Sequence, residues 1–384
     1  MEENSGGFFN RVPASYFLRK SPERAHESAL RHLRFLDNHP RMLATMARRF
    51  PKVSWPVEVG GVLLDSPLIL AAGLVKGDGF ASEAEAMEAV GRGRNIIPGW
   101  RSVPAIAGAV EMGSFTLAPR LGNSGNVLWR DAERRTLYNR VGLRNPGARA
   151  AAAFLSKQLA ELPTTYGISL AADPDATDLQ QKCEDLAAAT RHFISAGLCP
   201  SWLTVNLSCP NIDPTRLSVP ASPLASASQT APDTACQTAT ESPDQANAIC
   251  AAVKQELPEE IPLWAKVGPD LEDATYHELA QALKEAGVKA IVAINTATRK
   301  VPQSGIAETQ AGMGGASLRP EALQATAALS AASTLDIIAC GGIINGSDFQ
   351  EFQNAGAKAA QYWSALVFRG PNASTLIARE AQQI

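Results

Sequence analysis

The segment Asn206-Leu207-Ser208-Cys209-Pro210-Asn211 sets a thiol between a hydroxyl and two amides at the end of an apolar run. A thiol with an ordinary pKa near 8.5 is a competent proton acceptor around neutral pH. No histidine stands close in the chain to activate Cys209 as a nucleophile, so its expected role is general base. The other five cysteines (Cys183, Cys199, Cys236, Cys250, Cys340) read as small hydrophobes, and no CxxC spacing points to a metal. Lys266 lies inside the apolar stretch Leu263-Trp264-Ala265-Lys266-Val267, where an ammonium is costly unless an anion or an electron-rich cofactor faces it. Lys76 stands in a Gly-rich loop, where a solvated lysine is the plainer alternative. Asn139, Asn206, Asn211 and Asn295 each bring an acceptor and two donors without charge, and together suit a flat, amide-rich heterocycle. Gly341-Gly342 and Ser364, with Gly315 before them, put small residues and backbone N–H groups at two late strand ends, a setting for a phosphate. With Lys266 pointing inward, that suggests a phosphorylated cofactor such as FMN. Three of the five histidines precede residue 40, so a histidine triad is not expected.

Residues so far apart need a frame that gathers them. After Pro56 the chain offers eight candidate strands: 68–72, 109–113, 167–171, 202–208, 263–268, 290–295, 336–340 and 359–364. Most are continuous apolar runs, as in parallel strands buried on both faces. Helical spacing over 177–197, 272–286, 320–333 and 347–356 separates the later ones. Eight strand–helix units over about 320 residues predict an α/β fold of the (β/α)8 barrel (TIM barrel) type, with chemistry at the C-terminal strand ends. A doubly wound sheet is disfavoured because no GxGxxG turn follows the first strand. The residues from Glu58 to Val62, with a turn at Asp65-Ser66-Pro67, predict a small hairpin.

The 384 residues are 45% hydrophobic and 19% charged, a globular composition. The net charge of −3 gives no reason to expect nucleic acid. Charge is uneven, however: up to Pro56 ten Lys/Arg face five Asp/Glu, so the head is +5 and the remainder −8. Ser21-Pro22 reads as an N-cap and first helical position, followed by Ala25, Ala29, Leu30, Leu33 and Leu36 at helical spacing. A second short helix starts at Pro40 with Met42, Leu43 and Met46. Two basic amphipathic helices over 1–56 either touch a membrane surface or simply cap the barrel of 57–384. The sequence has no signal-peptide pattern or transmembrane run, so a cytoplasmic protein, peripherally held at the inner membrane, is expected. From Asp213 to about Asn247, Ala, Ser, Thr, Pro and Gln dominate, which predicts a largely disordered low-complexity insertion.

Taken together, several motifs in one order resemble the dihydroorotate dehydrogenase family over nearly the whole chain. They are Ala71-Ala72-Gly73-Leu74-Val75-Lys76, Glu111-Met112-Gly113-Ser114-Phe115-Thr116, Asn139-Arg140-Val141-Gly142-Leu143, the stretch from Asn206 to Asn211, Lys266-Val267-Gly268-Pro269-Asp270, Asn295-Thr296, and Gly341-Gly342 through Ser364-Ala365-Leu366. The resemblance implies an FMN-containing (β/α)8 barrel that oxidises dihydroorotate to orotate in pyrimidine biosynthesis. It implies Cys209 as the base at C5, while hydride leaves C6 for the flavin. Lys76, Asn139, Arg140, Val141, Gly142, Leu143, Asn206, Asn211, Asn295 and Thr296 then fall at substrate positions. Ala72, Gly73, Leu74, Lys76, Ser114, Ser169, Asn206, Lys266, Ile294, Gly315, Gly342, Trp363 and Ser364 fall at cofactor positions.

The subclass signals disagree. The basic head with Ser21-Pro22-Glu23-Arg24-Ala25-His26-Glu27 resembles the membrane-associated class that passes electrons to quinone. That class carries serine where Cys209 stands, and asparagine where Ser169 stands. The cysteine, Gly142-Leu143-Arg144-Asn145-Pro146-Gly147 and Gly312-Met313-Gly314-Gly315 look more like the soluble class, which uses fumarate or NAD. A quinone acceptor is expected from the head. The open alternatives are fumarate or NAD, another dihydropyrimidine as substrate, and a non-catalytic paralogue.

Overall fold

Apolar runs without alternation become strands buried on both faces, and here they close on themselves. The computed structural model describes residues 18–176, 178–208, 242–302 and 309–384. Its strands are β1 (Val57–Val59), β2 (Val62–Leu64), β3 (Leu68–Leu70), β4 (Val110–Phe115), β5 (Leu128–Asp131), β6 (Thr136–Asn139), β7 (Tyr166–Ala171), β8 (Trp202–Asn206), β9 (Leu263–Val267), β10 (Ala290–Ala293), β11 (Ala297–Lys300), β12 (Gln310–Gly315), β13 (Asp336–Cys340) and β14 (Ala357–Tyr362). Eight of them form a closed parallel barrel in the order β10-β13-β14-β3-β4-β7-β8-β9. These are the eight strands expected from sequence, and every residue of β4, β7, β9 and β10 is buried. The hairpin β1–β2 is antiparallel, as expected.

That hairpin seals the N-terminal end of the barrel. Val59, Val62 and Leu64 pack with Ile69, Trp202, Trp264, Val292 and Ile338. The indoles of Trp202 and Trp264 stack at 4.5 Å, and Trp264 Nε1 donates to the Gly60 carbonyl at 3.0 Å. Gly167 makes room for this layer, because an added Cβ would stand 2.1 Å from the Trp202 ring. The apolar plug leaves the opposite mouth as the open end.

A second sheet was not expected. Strands β11-β12-β6-β5 form a four-stranded antiparallel sheet. Its strands leave the chain just after the C-terminal ends of β4 and β10, so it stands at the open mouth. Three glycines in the six residues of β12 hide it from any propensity reading. Helices Glu83–Gly91, Ser102–Ala107, Ala148–Ser156 and Pro243–Glu256 complete the alternation between barrel strands. The last of these corrects the low-complexity boundary. Residues 209–241 lie outside the described residues, but Ser242 and Gln245 form a capping box and Ala246, Ile249, Cys250 and Val253 make a buried helical face.

The head is two helices, α1 (Pro22–Asp37) and α2 (Pro40–Ala47), with Ser21 capping the first as expected. They are bolted to the barrel side of the molecule. The Asp37 carboxylate, 3% exposed, accepts from Gly99 N at 2.6 Å, Ser102 N at 2.9 Å and Asn95 Nδ2 at 2.9 Å. Arg34 reaches Asp78 with both acceptor contacts at 2.9 Å, and Leu36 and Leu43 pack on Ile106. No helix among the described residues is long and apolar enough to cross a membrane. Outward, α1 and α2 leave Phe35 and Met42 each 47% exposed among exposed Arg31, Arg41, Arg48 and Arg49.

His26, on the inner side of α1, has its pKa lowered from 6.5 to about 4, first by burial and then by the charges of Lys76 and Arg144. The fold therefore holds the neutral ring, whereas the unfolded chain protonates His26 below its ordinary value. Stability from this group is complete above pH 6.5 and is lost as pH falls toward 4. The expected loss is on the order of 3 kcal/mol. Urea titrations at neutral pH and near pH 4 would read it: His26→Asn should abolish that part of the acid sensitivity, and an unchanged difference would show that another group carries it.

Candidate active site

Neighbouring register on adjacent strands gathers the central group. Asn206 on β8 lies beside Lys266 on β9, and Lys266 beside Val292 on β10, one step before the β10 end that leads to Asn295. Asn206 Oδ1 accepts from Asn295 Nδ2 at 3.3 Å and from Ser208 N at 3.2 Å. Asn295 Nδ2 also donates to the Ser208 carbonyl, and Asn295 Oδ1 accepts from Thr296 N at 2.8 Å. Two amides 89 residues apart in the chain are thereby locked in fixed orientations. The Ser208 hydroxyl beside them is buried and has no partner among the described residues. Cys209 and Asn211 lie outside the described residues, immediately beyond it.

Lys266 is 7% exposed, and its ammonium donates to Gln361 Oε1 at 3.1 Å and Cys340 Sγ at 3.3 Å. Both partners are uncharged side chains, and no described carboxylate forms an ion pair with it. An ammonium has three donors, so one N–H is left for a ligand. Ser114 Oγ and Ser169 Oγ share a 2.7 Å hydrogen bond, both residues being buried. Serine at 169 thus satisfies the Ser114 hydroxyl.

The rim is built from chain turns. Gly73 N donates to Gly113 O at 2.7 Å and Gly113 N to Val75 O at 2.9 Å, which ties the Ala72-Gly73-Leu74 loop and its Lys76 to the end of β4. Gly73 has φ +121°, and an added Cβ would come to 3.4 Å from the Trp363 indole. Gly342, φ +86°, passes so close to the start of the helix Arg319–Ala332 that a Cβ would lie 2.9 Å from Arg319 N. Ile294 contributes mainly through its backbone, its N–H donating to Cys340 O at 2.7 Å. Ser364 opens a short helix that runs to Arg369.

A third group sits in the antiparallel sheet, not in the loops a sequence reading would give it. Asn139 ends β6 and donates from Nδ2 to Gly312 O at 3.2 Å. Gly315 pairs with Thr136, and its missing side chain admits the Arg135 carbonyl, which would stand 2.3 Å from a Cβ. Arg140, Val141, Gly142 and Leu143 continue from β6, held by Asn123, whose Nδ2 donates to Arg140 O at 2.8 Å and whose N–H donates to Val141 O at 3.0 Å. Leu143 sits at φ +51°, stabilised by Asn145 Nδ2 donating to its carbonyl at 2.7 Å. Sequence reasoning assigned no role to Asn145, yet it is fully buried and also ties Thr116 and Gly147. Glu111 and Gln361 were also missed. A carboxylate in the wholly buried strand β4 was the available signal, as Lys266 was in β9.

The mouth therefore offers fixed amides, one buried ammonium with a spare donor, two hydroxyls and glycine-lined turns. That donor set suits a flat heterocycle with carbonyl and N–H edges rather than a metal. Among the described residues no His, Cys, Asp and Glu cluster could hold a metal ion.

Residues 56–384 match the family model described as dihydroorotate dehydrogenase. A protein of Myxococcus xanthus named dihydroorotate dehydrogenase (quinone) is 27% identical, with 95% of this chain and 93% of that protein covered. A protein of the same name from Erythrobacter litoralis is 30% identical, with 96% and 92% covered. In fold, the chain is similar to a crystal structure of DHODH in complex with ferulenol from Eimeria tenella, with a TM-score of 0.70 and 20% identity over 97% of this chain and 94% of that one.

Proposed function

The chain belongs to the dihydroorotate dehydrogenase family, and from that premise we propose that it oxidises dihydroorotate to orotate and passes the electrons to a quinone. The observation that carries the reading is the meeting of Asn206, Asn295 and Lys266 at the open ends of β8, β9 and β10. The locked amides face a substrate that is itself an amide ring, where their fixed donors and acceptors set its orientation. We assign Asn139, Lys76 and Thr296 to the same set, with the backbone from Arg140 to Leu143 as its outer wall, and add Asn211 on its place in the sequence alone.

FMN is the cofactor this site fits. A buried ammonium with no described carboxylate partner favours a ring that becomes electron-rich, and we assign the Ser114–Ser169 pair and the Gly73 loop to the same ring. Ala72, Leu74, Ile294 and Trp363 line its sides, and Gly315, Gly342 and Ser364 supply the phosphate end. Bound there, FMN supplies the two-electron acceptor for hydride from C6. The protein's own part is to hold the substrate flat and to take the C5 proton. Cys209, one residue beyond the buried Ser208 hydroxyl, is the base we assign.

The basic head supports quinone as acceptor and a peripheral place at the cytoplasmic face of the membrane. Phe35 and Met42 among exposed arginines make an apolar spot in a positive field, the surface of a helix that lies on anionic lipid. Anaerobic mixing with dihydroorotate tests the reaction: the yellow oxidised flavin should bleach, and quinone should restore it faster than fumarate or NAD. A protein that stays yellow would sink the substrate, and recovery with fumarate or NAD alone would sink the acceptor.

A further inference from the structure

Between the apolar plug and the open mouth, the barrel interior contains a polar layer whose Glu111 and Gln361 have no part in the proposed reaction. Glu111 of β4 is fully buried. Its Oε2 accepts from Thr204 Oγ1 at 2.5 Å, Trp202 Nε1 at 3.0 Å and Gln361 Nε2 at 3.1 Å. Gln361, 1% exposed on β14, turns its other end to Lys266, accepting from the ammonium at 3.1 Å. The line Glu111–Gln361–Lys266 thus joins strands β4, β14 and β9 across the barrel.

The orientation of the Gln361 amide is the heart of the matter. A carboxylate accepts only, and an ammonium donates only. One orientation of Gln361 satisfies both neighbours, with its NH2 toward Glu111 and its oxygen toward Lys266. The reverse orientation would set acceptor against acceptor and donor against donor, a penalty that grows in a low-dielectric interior. Glu111 therefore dictates which end of Gln361 meets Lys266, although Glu111 itself does not touch the ammonium.

We propose that Glu111 and Gln361 are positioning residues that anchor the Lys266 ammonium beneath the flavin and thereby set the flavin's reduction potential. This rests on the reading of Lys266 as the lysine that faces FMN. A positive charge held beside the ring favours the electron-rich reduced form, and the effect falls as the charge moves away or wanders. In Glu111→Gln, residue 111 can turn a donor toward Gln361, so the amide loses the constraint from that side and is held in its orientation by Lys266 alone. The acceptor that meets Lys266 is then held less firmly, with Cys340 as the other partner of the ammonium.

The test is the midpoint potential of the FMN-loaded full-length protein and its variants, by equilibration with a reference dye. Glu111→Gln should weaken the preference for reduced over oxidised flavin about tenfold, a midpoint about 30 mV more negative, although loss of the buried carboxylate charge by itself works in the opposite direction. Lys266→Met should shift it in the same direction by at least as much. Glu111→Gln added to Lys266→Met should then shift it no further in the negative direction, since the anchor would have nothing left to hold. If Lys266→Met lowers the potential but neither Glu111→Gln nor Gln361→Met does, the relay is wrong and the flavin reading of Lys266 stands. Should Lys266→Met leave the potential unmoved, or the wild-type protein take up no FMN, the reading of Lys266 falls and the relay with it. Gln361→Met breaks the line at its middle with Glu111 retained, so it serves where Glu111→Gln does not fold. It should give the same negative shift, and an unmoved potential there overturns the proposal.

Discussion

Cys209→Ala should slow the anaerobic reduction of the flavin by dihydroorotate by about 10²–10⁴-fold, the range a positioned general base supplies. FMN should stay bound, because none of the groups assigned to the ring or the phosphate is altered. The loss corresponds to about 3–5 kcal/mol of barrier. On the proposed reaction it should fall on the proton step alone: the C5 proton must leave as hydride departs C6, and alanine gives it nowhere to go. The substrate's dissociation constant should change little, since Asn206 and Asn295 hold each other without help from residue 209. A stopped-flow trace of the variant decides the matter. Reduction within about threefold of wild type would remove Cys209 as the base and turn attention to the neighbouring buried Ser208 hydroxyl.

Asp37→Asn is expected to have the second largest effect, on the attachment of the head. Both carboxylate oxygens are in use, Oδ1 by Ser102 N and Oδ2 by Gly99 N and Asn95 Nδ2. An amide keeps the shape but replaces one oxygen with a donor, which then faces buried donors. Losing charge-assisted hydrogen bonds and stranding a buried N–H should cost about 2–4 kcal/mol. Because Asp37 joins α1 to the segment from Asn95 to Ser102, the cost falls on docking of the head more than on the barrel. Urea unfolding should show an earlier loss of head structure. Flavin reduction by dihydroorotate should survive while quinone-dependent turnover drops. Equal losses in both half-reactions would mean that the head supports the barrel site itself and has no separate role at the acceptor side.

Much of this molecule is legible in its amino-acid sequence. The eight barrel strands are local apolar runs whose character survives in any context, because both of their faces must be buried. Ser21 before Pro22 marks a helix start through a capping interaction complete within four residues, seen here as Arg24 N donating to Ser21 Oγ. Asn206, Lys266 and Asn295 were recognisable because a polar side chain at the end of an apolar parallel strand has few other reasons to be there. The sheet β11-β12-β6-β5 was not legible. Gly312, Met313, Gly314 and Gly315 become a strand only because Asn139, Tyr138, Leu137 and Thr136 arrive beside them. The end of the low-complexity stretch was misjudged for a related reason, since the alanines after Ser242 acquire a face only when other helices cover it.

What the sequence determined by itself was therefore the kind of fold and the inventory of reactive groups, both written in local patterns of burial and residue type. Which groups meet was decided by closure of the barrel. Glu111 and Gln361 are 250 residues apart, and Gln361 and Lys266 are 95 apart. Glutamate in one strand and glutamine in another carry no local mark of each other. Only the register of β4, β14 and β9 around a shared interior sets one amide between a carboxylate and an ammonium, where hydrogen-bond complementarity leaves it a single orientation.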